Sequence, residues 1–155
     1  MHEPVSAIMT RDVVCVDTED TIERVEAVMD ARRRSFVPVS DSKGNIFGII
    51  SVQQIEHFRA NKRNPKQVRA WELCSYKPPQ ADPNASIVEV ARNMVENDVH
   101  HLVVTENGSI VGVVTSLDIL RQYLLKENPQ TPFPPACDTA DSSYVRQRTD
   151  KAPLE

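Results

Sequence analysis

The 155-residue sequence has only four glycines, 5% aromatic residues and three widely spaced cysteines, Cys15, Cys74 and Cys137. An odd cysteine count with no Cys-x-x-Cys pair excludes a disulfide framework or a structural zinc site as the organising device. No Walker A glycine loop, His-Glu-x-x-His or Gly-x-Ser-x-Gly signature occurs, so the chain is not expected to be an enzyme or to require a cofactor. No stretch reaches the roughly 18 consecutive apolar residues of a membrane span. The opening Met1-His2-Glu3-Pro4 has neither a basic nor an apolar signal region, so a cytoplasmic location is expected. A net charge of −4 lacks the basic excess of a general nucleic-acid binder. Leucine is scarce too, at 7 of the 62 apolar residues, whereas Val and Ile supply 29. That β-branched excess favours strands mixed with helices over a helical bundle.

What is present is an internal repeat. Ile22, Val25 and Met29 recur as Ile87, Val90 and Met94 at an offset of 65 residues, and Val37 and Val39 recur as Leu102 and Val104. After a turn one residue shorter, Gly48-Ile49-Ile50-Ser51 recurs as Gly112-Val113-Val114-Thr115 at an offset of 64, and Ile55 as Ile119. Matches in one order with a single deletion indicate two copies of one unit. In the first copy the apolar run Val13 to Val16 reads as extended and Thr21 to Ala31 as a helix. Phe36 to Val39 and Ile46 to Val52 read as a hairpin, followed by a second helix to about Arg59. The second copy reads as a helix over Ile87 to Asn97, strands over His101 to Thr105 and Ile110 to Thr115, and a helix over Leu117 to Leu125. Its opening, Tyr76-Lys77-Pro78-Pro79, cannot donate a full backbone ladder. The expected segments are 4–60 and 69–127 as repeats, 61–68 as a basic solvated linker, and 128–155 as a Pro-rich, mostly disordered tail. One such unit buries too little surface alone, so the two are expected to share a core through equivalent sheet faces, with a ligand cleft between them.

Tandem strand–helix–strand–strand–helix units, with Gly112-Val113-Val114-Thr115-Ser116-Leu117-Asp118-Ile119 at a strand–helix junction, resemble the CBS domain family. Ile8-Met9-Thr10, Phe36-Val37-Pro38-Val39 and His100-His101-Leu102-Val103-Val104 add to the resemblance, which covers about four-fifths of the chain. It implies an α+β fold, a tandem pair of β-α-β-β-α repeats packed through their sheets. It further implies a regulatory module, a Bateman module, that binds AMP, ADP, ATP or S-adenosylmethionine between its repeats. Homodimerisation through helices and an unidentified effector protein are implied partners.

The residues support part of this independently. Thr115 stands where a strand runs into a helix, a position whose N–H groups favour phosphate. Asp118, three residues on, suits ribose hydroxyls as an acceptor, with helix capping by Thr115 as the alternative. The resemblance places Thr10 and Cys15 around the base, partly through backbone groups, and Arg34 and Ser35 beside the ribose and phosphate. It places His100 and His101 toward the phosphates, with Val113 and Leu117 beside Thr115. Two adjacent strand histidines would point to opposite faces, leaving one for the ligand. Cys15, in an apolar strand, reads as a buried, inert thiol. The first copy has Gln54 where the second has Asp118, so one competent site per chain is expected. The rival reading is a dimerisation scaffold that binds no nucleotide.

Overall fold

A computed structural model describes residues 2–130 and 132. The expectation of a disordered tail therefore falls almost wholly outside the described residues. The described residues form seven strands and five α-helices: β1 (Val16–Asp17), α1 (Ile22–Arg32), β2 (Phe36–Ser40), β3 (Ile46–Ser51), α2 (Val52–Ala60), α3 (Ala70–Leu73), β4 (Ser75–Tyr76), β5 (Gln80–Ala81), α4 (Ile87–Glu96), β6 (His101–Glu106), β7 (Ser109–Thr115) and α5 (Ser116–Glu127). They form an α+β fold with two sheets, ordered β1-β2-β3-β4 and β5-β6-β7. In each sheet a short parallel strand flanks an antiparallel hairpin, with Val16 opposite Val39 in one and Ala81 opposite Val104 in the other.

The helices start where their caps dictate. Thr21 and Ser86 accept hydrogen bonds from Arg24 N–H and Glu89 N–H at the starts of α1 and α4. Ser51 and Thr115 cap α2 and α5 in the same way. Each cap satisfies an N–H that the first helical turn leaves without a partner. The apolar stripes Ile22/Val25/Met29 and Ile87/Val90/Met94 then face their own sheets, all at most 4% exposed.

The shared core expected from the sequence is three cores instead. One lies under α1 and α2, a second under α4 and α5, and a small third joins the sheets through Phe36, Ile49, Val103 and Val113. Helices cover one face of each sheet, so only the opposite faces remain to meet.

Each core is closed by chain from outside its own repeat. Val5 and Met9 pack into the second core, while Val68 and Ala70 pack into the first. Backbone bonds fix both crossings: Val5 N–H donates to Ala85 O at 2.8 Å, and Ile22 N–H donates to Val68 O at 2.9 Å. The basic segment is thus no free linker. Glu23 N–H donates to Pro65 O, and Val68 is buried. The two glycines inside strands mark where the crossings press closest. A Cβ on Gly112 would lie 2.5 Å from Met9 Sδ, and one on Gly48 would lie 2.7 Å from the Ser75 carbonyl oxygen.

Candidate functional site

Two clefts open between the repeats, related by the internal repeat. The first, of about 250 Å³, is lined by residues from both copies, including Thr10, Val14, Arg33, Arg34, His101, Thr115, Asp118 and Arg121. The second, of about 650 Å³, is lined by Ser51, Gln54, His57, Ser75, Lys77, Asp98 and others. His100 and His101 line both.

Of the residues expected at the site, Thr10, Arg34, Ser35, His100, His101, Val113, Thr115, Leu117 and Asp118 line the first cleft. Cys15 does not line it, and the thiol is exposed rather than buried in a strand. Strand β1 begins only at Val16, so the chain at Cys15 has no ladder to hold its side chain inward. Partial burial still pushes the Cys15 thiol above its ordinary value, which disfavours the thiolate.

The backbone groups expected of Thr10 are also occupied. Thr10 N–H donates to Val113 O at 2.8 Å, and Val113 N–H donates to Thr10 O at 3.0 Å. Val14 was not anticipated, although it lies in the apolar run the sequence displays. It lines the cleft half-buried, and its backbone N–H and C=O make no hydrogen bond among the described residues.

The strand–helix junction is built around Asp118. Its Oδ2 accepts from Thr115 N–H at 2.8 Å and from Thr115 Oγ1 at 2.9 Å, while Asp118 N–H donates back to Thr115 Oγ1 at 3.2 Å. Capping is therefore a real role of Asp118, and it uses one oxygen. The other, Oδ1, faces Arg121 Nη1 at 3.7 Å, too long for a good hydrogen bond. A carboxylate oxygen in this state retains capacity for a hydroxyl donor.

Gln54 stands differently. Its Oε1 accepts from Ser51 N–H at 2.8 Å, and its Nε2 donates to Leu73 O at 3.1 Å and Ser75 Oγ at 3.2 Å. Both ends of the amide are tied down, and the tie joins α2 to the crossing segment. The second cleft thus has more volume but no acidic acceptor at its helix start.

The histidines depart from strict strand alternation because β6 begins at His101 and leaves His100 in the preceding loop. Both can face one ligand. The His101 ring stacks on Phe36, its equivalent in the other repeat, with centroids 4.3 Å apart and planes 10° from parallel. Burial lowers the His101 pKa from its ordinary value, and neighbouring His100 adds to the effect. No group of three or more His, Cys, Asp or Glu residues able to hold a metal occurs among the described residues. Nor is any described helix long and apolar enough to cross a membrane.

Known proteins share this fold. The chain is 27% and 28% identical to two proteins of Methanocaldococcus jannaschii and covers 76% and 84% of itself in doing so. It spans 31% and 48% of their respective lengths. Three solved structures match the fold. They are CBSX2 in complex with AMP (17% identical, covering 81% of this chain and 99% of that one, TM-score 0.70), the CBS domain of a bacterial CNNM/CorC family Mg2+ transporter in complex with ATP (23%, 79% and 87%, 0.71), and the CBS domain pair of protein MJ0100 with 5-methylthioadenosine and S-adenosyl-L-methionine (21%, 79% and 97%, 0.72). At these identities they establish the fold. The CBS domain family matches residues 5–60 and 70–125, the two copies that the repeat delimits. With most of its length so matched, the chain belongs to the CBS domain family and carries two CBS domains.

Proposed function

We propose that the chain is a non-catalytic regulatory module that binds an adenine nucleotide or adenosyl ligand in the first cleft. The observation that carries this reading is Asp118, a residue of the cleft lining whose Oδ2 is fixed by the helix cap while Oδ1 has only Arg121 Nη1 at 3.7 Å beside it. A rigid carboxylate at a helix start can accept from ribose hydroxyls while nearby N–H groups face phosphate. Val14 supplies backbone groups for the base edge, and Thr10 and Phe36 line the same cleft. The AMP, ATP and S-adenosyl-L-methionine complexes of proteins with this fold support the ligand class. Ligand contacts reach both repeats, so occupancy favours one arrangement of the sheet-to-sheet junction over others.

Output passes through a second copy and through an effector protein. Leu117, Leu120 and Leu124 recur on one exposed face of α5, with Tyr123 beside them, all at least 45% exposed. Such an uncovered apolar stripe suits a homodimer. Light scattering should give twice the chain mass, and Leu120→Asp should return it to one. Free Cys15 and Cys74 agree with a reducing compartment such as the cytoplasm.

The deciding experiment is a thermal-shift series with AMP, ADP, ATP, S-adenosylmethionine and the matching guanine nucleotides, on wild type and Asp118→Asn. Ligand at a hundredfold its dissociation constant stabilises the native state by about 2.7 kcal/mol. A shift that Asp118→Asn abolishes is expected. A folded wild type that responds to none of these ligands would leave the exposed α5 face as the main functional feature, and the chain would be a scaffold.

A further inference from the structure

We propose that the first cleft selects a nucleoside di- or triphosphate over a monophosphate and over neutral or cationic adenosyl compounds, with Arg33 and Arg121 as the selecting residues. The inference rests on the nucleotide reading above and concerns charge, which the volume and the ribose acceptor leave open. Three guanidinium groups, Arg33, Arg34 and Arg121, line this cleft against two carboxylates, Asp12 and Asp118. Asp12 already faces Arg32, which is not part of the lining, at 3.7 Å. Asp118 faces Arg121. The wall acids are thus each faced by an arginine, and Arg33 adds a further cation to the lining.

Arg33 occupies a specific place in that lining. It ends α1 in the left-handed region at φ 51°, with its backbone N–H donating to Asp30 O. The backbone is fixed by the helix end, while the exposed side chain makes no hydrogen bond or ion pair with any described residue. Arg121 contributes conditionally. A ribose hydroxyl that takes Asp118 Oδ1 competes with its guanidinium, and the released charge lies beside the bound ligand.

Guanidinium groups pair with phosphate oxygens through two parallel donors, so each further phosphate adds charge-assisted bonds. A ligand without phosphate disturbs the Asp118–Arg121 pair and offers nothing in exchange. A sulfonium compound adds a cation to a cationic wall. The second cleft provides the internal contrast, because its formal charges, Lys77 and Asp98, cancel.

Titration calorimetry on the full chain, without divalent cations, tests this with adenosine, AMP, ADP, ATP and S-adenosylmethionine. From AMP to ADP or ATP the affinity should rise about tenfold, and more at low salt. Arg33→Asn, which suits the left-handed position, should lower ATP affinity by about tenfold and AMP affinity by less. Arg121→Gln should do the same, and melting curves of both variants should match wild type. AMP binding as tightly as ATP, S-adenosylmethionine binding most tightly, or Arg33→Asn weakening all ligands equally would overturn the selection while sparing the nucleotide reading. Failure of every adenosyl compound to bind would remove both.

Discussion

The two clefts share their backbone devices and differ in what those devices present. Each has a strand ending in a hydroxyl residue, Ser51 or Thr115, that caps the next helix and receives a side chain three residues on. In the second cleft that side chain is an amide tied at both ends to Ser51, Leu73 and Ser75. In the first it is a carboxylate of the cleft lining, with one oxygen in the cap and the other 3.7 Å from Arg121 Nη1. One capping geometry therefore serves cohesion in one copy and an open acceptor in the other. Duplication supplied two equivalent positions, and the residue type at them is one of the differences between the clefts, beside the arginines that line only the first.

The largest expected effect probes the crossings that close the two cores. Gly48→Ala brings a Cβ to 2.7 Å from the Ser75 carbonyl oxygen, which is backbone, whereas Gly112→Ala meets Met9 Sδ at 2.5 Å and the Thr10 carbonyl only at 3.2 Å. A methionine side chain can swing aside, and a carbonyl in a strand pair cannot. Denaturant unfolding should show about 3 kcal/mol lost for Gly48→Ala and about 1 kcal/mol for Gly112→Ala. Equal losses would mean the crossings are equally tight.

Next comes the acceptor itself. Asp118→Asn should remove most of the roughly 2.7 kcal/mol of ligand-induced stabilisation, while Gln54→Glu should add no second binding event. Gln54→Glu also loses the donors to Leu73 O and Ser75 Oγ, so it should cost about 1 kcal/mol of stability by itself. A second ligand bound by Gln54→Glu would show that charge alone separates the clefts.

Smaller is the capping term. Ser51→Ala and Thr115→Ala should each lower stability by about 1 kcal/mol, since both remove an N-cap acceptor. Only Thr115→Ala should also weaken ligand binding.

The smallest effect concerns the Phe36–His101 stack that divides the clefts. Burial lowers the folded His101 pKa below its ordinary 6.5, so the unfolded chain binds more protons in the interval between the two values. The stabilising contribution is present above the unfolded value and is lost as pH falls through the folded one. His101→Phe keeps the stack and should flatten that part of the melting temperature's pH dependence. An unchanged slope would assign the dependence to other groups.

Much of this contrast is visible in the sequence because it lives at matched positions. The offset of 65, falling to 64 after the shorter second turn, aligns Gln54 with Asp118 directly. Helix stripes and hairpins follow from residue periodicity, which is local. The crossings were not legible, because Val5, Met9, Val68 and Ala70 bury themselves in cores built by residues about 10 to 115 positions away. Nor was Val14's open backbone, since every residue has an N–H and a C=O, and only tertiary neighbours decide which are used. The exposure of Cys15 and the loop position of His100 turned on where β1 and β6 begin, and pairing sets that.

The sequence by itself determined the duplicated unit, its caps and the one acidic residue that distinguishes the copies, because repeats, periodicity and residue chemistry are written locally. Tertiary structure decided which chain segment seals which core, and that the Gln54 amide is tied to Leu73 and Ser75. Those outcomes depend on close packing and on hydrogen-bond partners distant in sequence, and no local pattern encodes them.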